Sequence, residues 1–322
     1  MKKGVLLINL GTPKSLNVND VRSYLKRFLS DSRVIDMPRW QWLPILNLPI
    51  LNLMILPNRP KHSAEMYQMI WSNESGSPLL HYTQLQASQL QARLGASYQV
   101  RYAMSYSDPD IATQLTAFET DKIDDLTIIP LYPQYSTTTV GSVMDDINRF
   151  YFRRIKIPTL HLISDFCTHP TYIKVMAEKI KRYWDTGQYD QIVFTYHGIP
   201  KRYTQKGDPY ATRCYLTTDL IMDQLGNLPH LLSFQSKFGP GEWLTPSTAD
   251  IMVKLPHQGI KNVLVVAPSF VADCLETSYE LGIENYQHFI ENGGHRFVTV
   301  PSLNADVGFT NVLLQLVKNS SI

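Results

Sequence analysis

Four acidic residues in the last third of the chain have a spacing that suits proton or cation chemistry. Steps of three, four and four positions separate Asp273, Glu276, Glu280 and Glu284. On an α-helix this spacing places four carboxylates on one stripe, where like charges repel by about a few tenths of a kcal/mol per pair. The stripe is either a solvated flank or a path for protons or hard cations. Because a predicted strand directly precedes it, we expect its first turn to face a binding site, which favours the path.

A histidine ends another predicted strand. His197 follows a buried-looking apolar run, and Gly198 comes next, where the missing Cβ lets backbone or ligand approach closely. An imidazole in this place binds a metal or accepts a proton near neutral pH. A core histidine satisfied by one hydrogen bond fits the same pattern, so both interpretations stay open.

The segment from Tyr132 to Thr139 carries several hydroxyl groups between a predicted strand and a predicted helix. Hydroxyls and backbone N–H groups at a helix start suit an anionic group such as a carboxylate or a phosphate. An ordinary N-cap explains them equally well. The P-loop, G-x-G-x-x-G, H-E-x-x-H and G-x-S-x-G motifs are absent, which disfavours a nucleotide-dependent transferase.

Short β-rich apolar runs alternate with helical patterns, which indicates parallel sheets built from βαβ units. The predicted strands are 4–10, 98–104, 126–131, 159–163, 191–196, 231–234, 263–267 and 297–300. The predicted helices include 19–29, 84–94, 172–183, 217–225, 275–290 and a last helix at about 306–318.

An internal repeat divides the chain into two similar halves that join near residues 150–160. The strand and turn of residues 8–13 recur at 195–200, and those of 126–133 recur at 263–268. Ligands of such folds bind beyond the carboxyl ends of the strands. We therefore expect the chemistry in a cleft between the halves.

Composition excludes several classes of protein. The 322 residues suit two domains, and 30 Lys+Arg against 28 Asp+Glu give a net charge of +2, which argues against nucleic acid as a partner. Cys167, Cys214 and Cys274 form no C-x-x-C pair, so zinc ribbons and disulfide frameworks are disfavoured. Such sparse thiols fit a reducing cytoplasm.

One apolar segment bears on membrane contact. The stretch 40–56 is rich in Leu, Ile and Trp but is interrupted by prolines and asparagines, and it falls short of the roughly 20 apolar residues of a spanning helix. It is either a broken core helix or an exposed apolar lip around a ligand or against a bilayer.

Taken together, the motifs resemble those of the ferrochelatases, which insert Fe(II) into a porphyrin at the end of haem synthesis, and the proteobacterial form looks most similar. The resemblance covers nearly the whole chain. The motifs that carry it are Asn9-Leu-Gly-Thr-Pro13, Gly76-Ser-Pro78, Leu131-Tyr-Pro-Gln-Tyr-Ser136, Tyr196-His-Gly-Ile-Pro200, Gly207-Asp-Pro-Tyr210, Phe234-Gln-Ser-Lys-Phe-Gly239, Trp243-Leu244 and Asp273-Cys-Leu-Glu-Thr277.

The resemblance implies an α/β fold of two similar Rossmann-like, chelatase-type halves, each a mostly parallel sheet flanked by helices. The expected divisions are an N-terminal half 1–155 with the lip 40–56, a C-terminal half 156–305 with the catalytic residues, and a helix 306–322 packing on the first half. Porphyrin is expected in the cleft between the halves, and the lip is expected to meet a membrane surface.

The resemblance also assigns residues. His197 and Glu276 match the active-site histidine and its facing carboxylate, which we expect to be catalytic and to contact the metal. A proton or metal relay is expected at Asp273, Glu280 and Glu284. Porphyrin contacts are expected at Leu10, Tyr106, Tyr132, Ser136 and Trp243. An arginine–tyrosine pair of some relatives is Ser105-Tyr106 here, so recognition of a carboxylate by that arginine does not carry over.

The expected activity is insertion of Fe2+ into protoporphyrin IX with release of two protons, by a cytoplasmic monomer with no tightly bound cofactor. No cysteine follows Cys274, so we expect no [2Fe–2S] cluster. The alternatives are a chelatase for another tetrapyrrole, such as coproporphyrin III or a cobalt-accepting corrinoid precursor, and a haem or iron carrier without turnover. The acidic stripe favours an enzyme, because a carrier needs no proton path.

Overall fold

The computed structural model describes residues 2–35, 59–237 and 241–320, which group into two compact units. The described residues of the first unit fall within Met1–Leu131, Thr137–Ser164 and Leu314–Ile322. Those of the second unit fall within Tyr132–Ser136 and Asp165–Leu313. The predicted lip 40–56 lies outside the described residues.

The first unit is built on a parallel four-stranded sheet. Its strands are β1 (Lys3–Asn9), β2 (Tyr98–Met104), β3 (Asp125–Pro130) and β4 (Thr159–Leu162), in the order β2-β1-β3-β4. Its described helices are α1 (Val18–Leu29), α2 (Arg59–Ile70), α3 (Pro78–Leu94), α4 (Ile111–Thr120), a π-helix (Thr137–Gly141) and α5 (Ser142–Tyr151). A short 3₁₀ turn (Gly95–Ser97) leads into β2.

The second unit repeats that plan. Its strands are β5 (Gln191–His197), β6 (His230–Gln235), β7 (Asn262–Val266) and β8 (Arg296–Val300), all parallel in the order β6-β5-β7-β8. Its described helices are α6 (Pro170–Asp185), α7 (Lys201–Gln205), α8 (Tyr210–Leu225), α9 (Thr248–His257), a second π-helix (Glu276–Asn285) and α10 (Tyr286–Glu291). The last helix, α11 (Val307–Asn319), crosses the division at residue 313.

The central strands are buried because they are apolar along their whole length rather than at alternate residues. Val5–Ile8 of β1 and Val263–Val266 of β7 are at most 1% exposed. A strand in a parallel sheet is covered on both faces by helices, so both sets of side chains must be apolar. The eight observed strands and their two parallel sheets confirm the predicted strands and the α/β fold.

Polar residues start the helices where the sequence changes from apolar runs to turns. The side chains of Asn17 and Asp110 accept hydrogen bonds from the backbone N–H groups of Asn19 (2.9 Å) and Thr113 (2.7 Å) at the starts of α1 and α4. Each bond satisfies a backbone donor that the first helical turn leaves open.

The helix predicted over 275–290 differs from an α-helix. Residues Glu276–Asn285 form a π-helix, and α-helical geometry resumes only at Tyr286. In a π-helix the bonds run from residue i to i+5, so one turn holds more residues than an α-helical turn. A step of four therefore falls short of a full turn. The predicted α-helix is therefore wrong over Glu276–Asn285, and the shared stripe of carboxylates stays a prediction.

No helix within the described part of the chain is long and apolar enough to cross a membrane.

Candidate active site

His197 lies at the carboxyl end of β5, beside the last residue of β6. It pairs in register with Gln235, and the backbone N–H of Gly198 donates to the Gln235 carbonyl oxygen over 2.8 Å. A Cβ on Gly198 would lie only 2.9 Å from that oxygen. The glycine that follows His197 is therefore required by the close approach of the neighbouring strand.

The imidazole of His197 is half-buried and packs against an aromatic ring. Its centroid lies 6.4 Å from that of Phe270 in an edge-to-face arrangement. Burial lowers the pKa of His197 below its ordinary value, and the negative charge of Glu276 opposes that shift. Because the pKa is lowered, the ring is neutral at neutral pH and keeps a nitrogen lone pair for a proton or a metal.

Glu276 begins the second π-helix and interacts electrostatically with His197. Its side chain is half-buried, and its backbone carbonyl accepts a hydrogen bond from Nε2 of Gln235 over 3.1 Å. The structure thus brings together the two residues that the sequence predicts to be catalytic. Among the residues that the structure describes, no group of three or more His, Cys, Asp and Glu side chains forms a metal-binding cluster.

Glu280 lies one turn further along and is held by Ser236. The Ser236 backbone N–H donates to its Oε1 over 2.6 Å, and the Ser236 hydroxyl donates to its Oε2. Ser236 reaches it from a left-handed backbone conformation, with φ of 64°. Burial raises the pKa of Glu280 to about 7, against the two Ser236 bonds, and the negative charge of Glu276 adds to the rise. Glu280 therefore exchanges a proton readily at neutral pH.

The other two predicted relay residues differ from each other. Asp273 accepts three hydrogen bonds: the Thr277 hydroxyl and the Ser302 N–H reach Oδ1 at 3.0 and 3.1 Å, and the Asn304 amide reaches Oδ2 at 2.6 Å. This carboxylate fixes the start of the π-helix. Glu284 is half-buried and its negative charge helps to raise the pKa of Glu280.

The predicted porphyrin residues of the second unit have unequal access to a ligand. Trp243 and Tyr132 are half-buried, and the indole lies 3.5 Å from where a Cβ on Gly198 would be. The indole Nε1 is buried, with no hydrogen-bond acceptor among the residues that the structure describes. Ser136 is 1% exposed and donates its hydroxyl to Asp208 over 3.0 Å, so it supports the turn from within.

The two predicted porphyrin residues of the first unit also differ. Leu10 is half-buried just after β1, and its carbonyl accepts from the N–H of Tyr106 over 2.9 Å. Tyr106 is 5% exposed, packs edge-to-face on Phe28 and donates its hydroxyl to Asp31 over 2.7 Å. Its side chain thus belongs to the core of this unit.

Sequence analysis missed three residues around the histidine: Gln235, Ser236 and Phe270. Gln235 and Ser236 lie within Phe234-Gln-Ser-Lys-Phe-Gly239, a motif used for the resemblance without an assigned role. A polar pair directly after a predicted strand was the available signal. Nothing in the sequence around Phe270 distinguishes it from a core residue.

Comparison with known proteins agrees with this geometry. The sequence model of the Ferrochelatase family matches residues 2–321. A coproporphyrin III ferrochelatase of Enterococcus faecalis is 46% identical over 98% of this chain and 99% of its own length. A ferrochelatase of Edwardsiella ictaluri is 43% identical over 98% of this chain and 97% of its own length.

The solved structure of SirB from Bacillus subtilis with Fe3+ superposes with a TM-score of 0.56 at 12% identity, covering 99% of this chain and 96% of that chain. This likeness shows a shared chelatase-type fold. The family match and the two relatives show more: the chain belongs to the ferrochelatase family and is an enzyme that inserts a metal ion into a porphyrin.

Proposed function

We propose that the protein inserts Fe2+ into protoporphyrin IX to give protohaem and two protons, the last step of haem synthesis. The observation that carries the proposal is the place of His197 at the carboxyl end of β5, where its imidazole packs on Phe270 and interacts electrostatically with Glu276. Metal insertion must remove the two protons of the pyrrole nitrogens before four nitrogen lone pairs bind the iron. A neutral imidazole with a carboxylate next to it supplies the required proton acceptor.

In this mechanism His197 accepts a pyrrole proton or holds the incoming iron, and Glu276 takes the proton onward. General-base groups work best when their pKa lies near the operating pH. Glu280, with a pKa of about 7, meets that condition for the next transfer, and Glu284 follows it. Asp273 acts differently in this proposal, because its hydrogen-bonded carboxylate positions the helix and leaves proton transfer to the glutamates.

The macrocycle is bound against apolar and aromatic surface. Trp243 and Phe270 flank the strand end that carries His197. Bending a flat porphyrin exposes its pyrrole nitrogens, and binding energy from the ring's periphery supplies that strain. Leu10, Tyr106, Tyr132 and Ser136 remain predictions as porphyrin contacts. The engaged hydroxyls of Tyr106 and Ser136 favour an indirect role for these two residues.

The charge of the second unit bears on the choice between the two porphyrins. Three glutamates, Glu276, Glu280 and Glu284, follow one another along the π-helix. Protoporphyrin IX carries two propionates, whereas coproporphyrin III carries four, so coproporphyrin is the more sensitive of the two to negative charge in the site. Like charges at short range disfavour binding. The second candidate is coproporphyrin III, which the name of the Enterococcus faecalis relative favours.

A competition experiment distinguishes the two substrates. Purified protein is mixed anaerobically with limiting Fe(II) and equal concentrations of protoporphyrin IX and coproporphyrin III, and both metallated products are quantified over time. We expect protohaem to form faster. Faster metallation of coproporphyrin would replace the substrate and keep the mechanism. Tight haem binding without turnover would contradict the proposed chemistry.

Four further predictions concern the context of the reaction. These are contact of segment 40–56 with a membrane surface, a cytoplasmic location, a monomeric state and the lack of an iron–sulfur cluster. All four stay predictions. A vesicle sedimentation assay with the intact chain and an absorbance spectrum of the purified protein test the first and the last.

A further inference from the structure

We propose that Gln235 is a positioning residue for metal insertion, which holds the turn after His197 with its main chain and the start of the second π-helix with its side chain. The inference rests on the proposed function, since it assigns His197 and Glu276 to the reaction. It goes beyond that function because it names the residue that fixes these two groups relative to each other.

The main chain of Gln235 is tied to His197 by the register of the sheet. Gln235 is the partner of His197 across β5 and β6, and its carbonyl oxygen accepts the N–H of Gly198 over 2.8 Å. A displacement of Gln235 therefore displaces the turn that carries the imidazole.

The side chain of Gln235 makes a pair of contacts to the π-helix. Nε2 of Gln235 donates to the carbonyl of Glu276 over 3.1 Å and lies 3.5 Å from Oε2 of Glu280. The amide thus joins the helix at its first residue and one turn later. Its carbonyl end faces the other way, because Oε1 accepts the hydroxyl of Thr195 over 3.0 Å.

A buried chain of hydroxyls continues from the oxygen end of the amide. Thr195 bonds to Thr248 over 2.8 Å, and Thr248 bonds to Ser233 over 2.9 Å. All three are fully buried, and Gln235 is 3% exposed. If the amide were reversed, its oxygen would lie against the Glu276 carbonyl and the Glu280 carboxylate, which are acceptors. With Nε2 toward the helix, the amide donates to the Glu276 carbonyl, which has no hydrogen of its own to give.

The first unit shows that the fold itself does not require an amide in this place. The corresponding residue at the end of β2 is Met104, which pairs with Asn9 as Gln235 pairs with His197, and which is fully buried. A buried amide costs free energy unless each polar atom has a partner. The amide of Gln235 is therefore explained by its hydrogen bonds to the π-helix and to Thr195.

Gln235→Met tests the inference, since it keeps the length of the side chain and removes the amide. We expect kcat to fall about 100-fold, the loss that a misplacement of about 1 Å causes, while KM and the fluorescence-measured Kd for porphyrin change less than about threefold. Gln91→Met is the matched control. Gln91 bonds to Gly95, Tyr98 and Val100 in the first unit, so its loss lowers Tm and leaves kcat unchanged.

A kcat of Gln235→Met within threefold of the parent, or a loss shared with Gln91→Met, would overturn the inference. If Gln235→Met does not fold, Thr195→Val decides the question, because it removes the hydroxyl that bonds to the amide oxygen and leaves Gln235 itself in place. We expect a smaller loss of kcat with the same KM, and an unchanged kcat refutes the positioning role. His197→Ala in the same assay separates the two proposals: if it remains active, the proposed function fails whatever Gln235 does.

Discussion

The two sheets of this protein have the same strand order, but the residues at equivalent strand ends differ in chemistry. In the first unit, β1 ends in Asn9, which is 5% exposed and donates to the hydroxyl of Thr83 over 3.0 Å. In the second unit, β5 ends in the half-buried His197. The end of β1 thus needs only a polar residue whose side chain hydrogen-bonds within its own unit. At these equivalent strand ends, the first unit carries an amide and the second an imidazole.

The π-helices show the same contrast. Each follows the third strand of its unit, after β3 and after β7. The first begins with Thr137, whose hydroxyl accepts from Arg33 over 2.7 Å. The second begins with Glu276 and holds Glu280 with a pKa of about 7. The first π-helix starts with hydroxyl groups that bond to an arginine, whereas the second carries carboxylates. The same topology therefore supports two kinds of surface.

A histidine–carboxylate pair also exists in the first unit, but in a different part of the sheet. Nε2 of His161 lies 3.2 Å from Oδ1 of Asp125, the first residue of β3. The pair therefore lies toward the amino end of the strand. Ligands of α/β folds bind at the carboxyl ends, so place in the sheet, rather than residue type, separates this pair from His197 and Glu276.

The largest expected effect comes from His197→Ala. Removing a group that transfers protons or holds the metal should lower kcat by about 10³-fold and leave porphyrin affinity nearly intact. His161→Ala is the control for loss of a histidine next to a carboxylate, and we expect its turnover to equal that of the parent. Stopped-flow metallation of porphyrin measures both. Near-normal turnover of His197→Ala would remove the distinction between the units.

A smaller effect is expected from Gly198→Ala. The new methyl group would lie 2.9 Å from the Gln235 carbonyl oxygen, so β5 and β6 must separate at their ends. We expect a loss of about 1–3 kcal/mol in the free energy of unfolding, with at least tenfold lower kcat, by the ~1 Å misplacement argument. Gly282→Ala is the stability control, because its Cβ meets only Thr277 at an ordinary 3.7 Å. Equal stability losses would argue against a specific clash.

The third prediction concerns stability against pH. The pKa of Glu280 is raised in the folded protein to about 7, from an ordinary value of 4.5, so the folded state binds the proton more tightly than the unfolded state. The stabilisation that this proton brings is fully present below pH 4.5 and is lost as the pH rises through 7. Glu280→Gln should therefore match the parent at pH 4.5 and exceed it by about 3 kcal/mol at pH 8.

Urea unfolding at pH 5, 6, 7 and 8 measures this difference. Glu178→Gln, at an exposed pair with Lys174 on α6, is the control and should show no trend with pH. If Glu280→Gln changed the free energy of unfolding by the same amount at every pH, the carboxylate would not titrate in this range.

The smallest effect is expected at the first π-helix. Arg33 donates to both oxygens of Asp145, from Nε over 2.5 Å and from Nη2 over 2.9 Å, and it holds the pKa of that carboxyl below its ordinary value. Arg33→Gln should cost about 0.5–1 kcal/mol, because both side chains are partly exposed. This loss is present above pH 4 and fades as the pH falls through the lowered pKa of Asp145.

Arg149→Gln is the control for Arg33→Gln, since the Arg149 side chain is 74% exposed and bonds to Asp146 through one nitrogen, so its loss should cost less. Thermal unfolding at pH 7 compares the two variants. An equal loss in both would show that the bidentate geometry adds no stability.

The amino-acid sequence alone determined the eight strands and their division into two similar halves. It also indicated the candidate pair His197 and Glu276. Parallel strands buried on both faces are apolar throughout, so runs such as Val5–Ile8 are visible without a structure. The strand end that carries His197 is visible for the same reason, and the family motifs add the roles.

Only the tertiary structure decided the rest. The i→i+5 bonding of Glu276–Asn285 does not follow from a periodicity near four residues, which an α-helix fits equally well. The hydrogen bonds of Ser302 and Asn304 to Asp273, the hold of Ser236 on Glu280, and the double role of Gln235 join residues far apart in the chain. Side-chain hydrogen bonds between distant segments leave no periodic mark in a sequence, because their partners meet only when the strands pair.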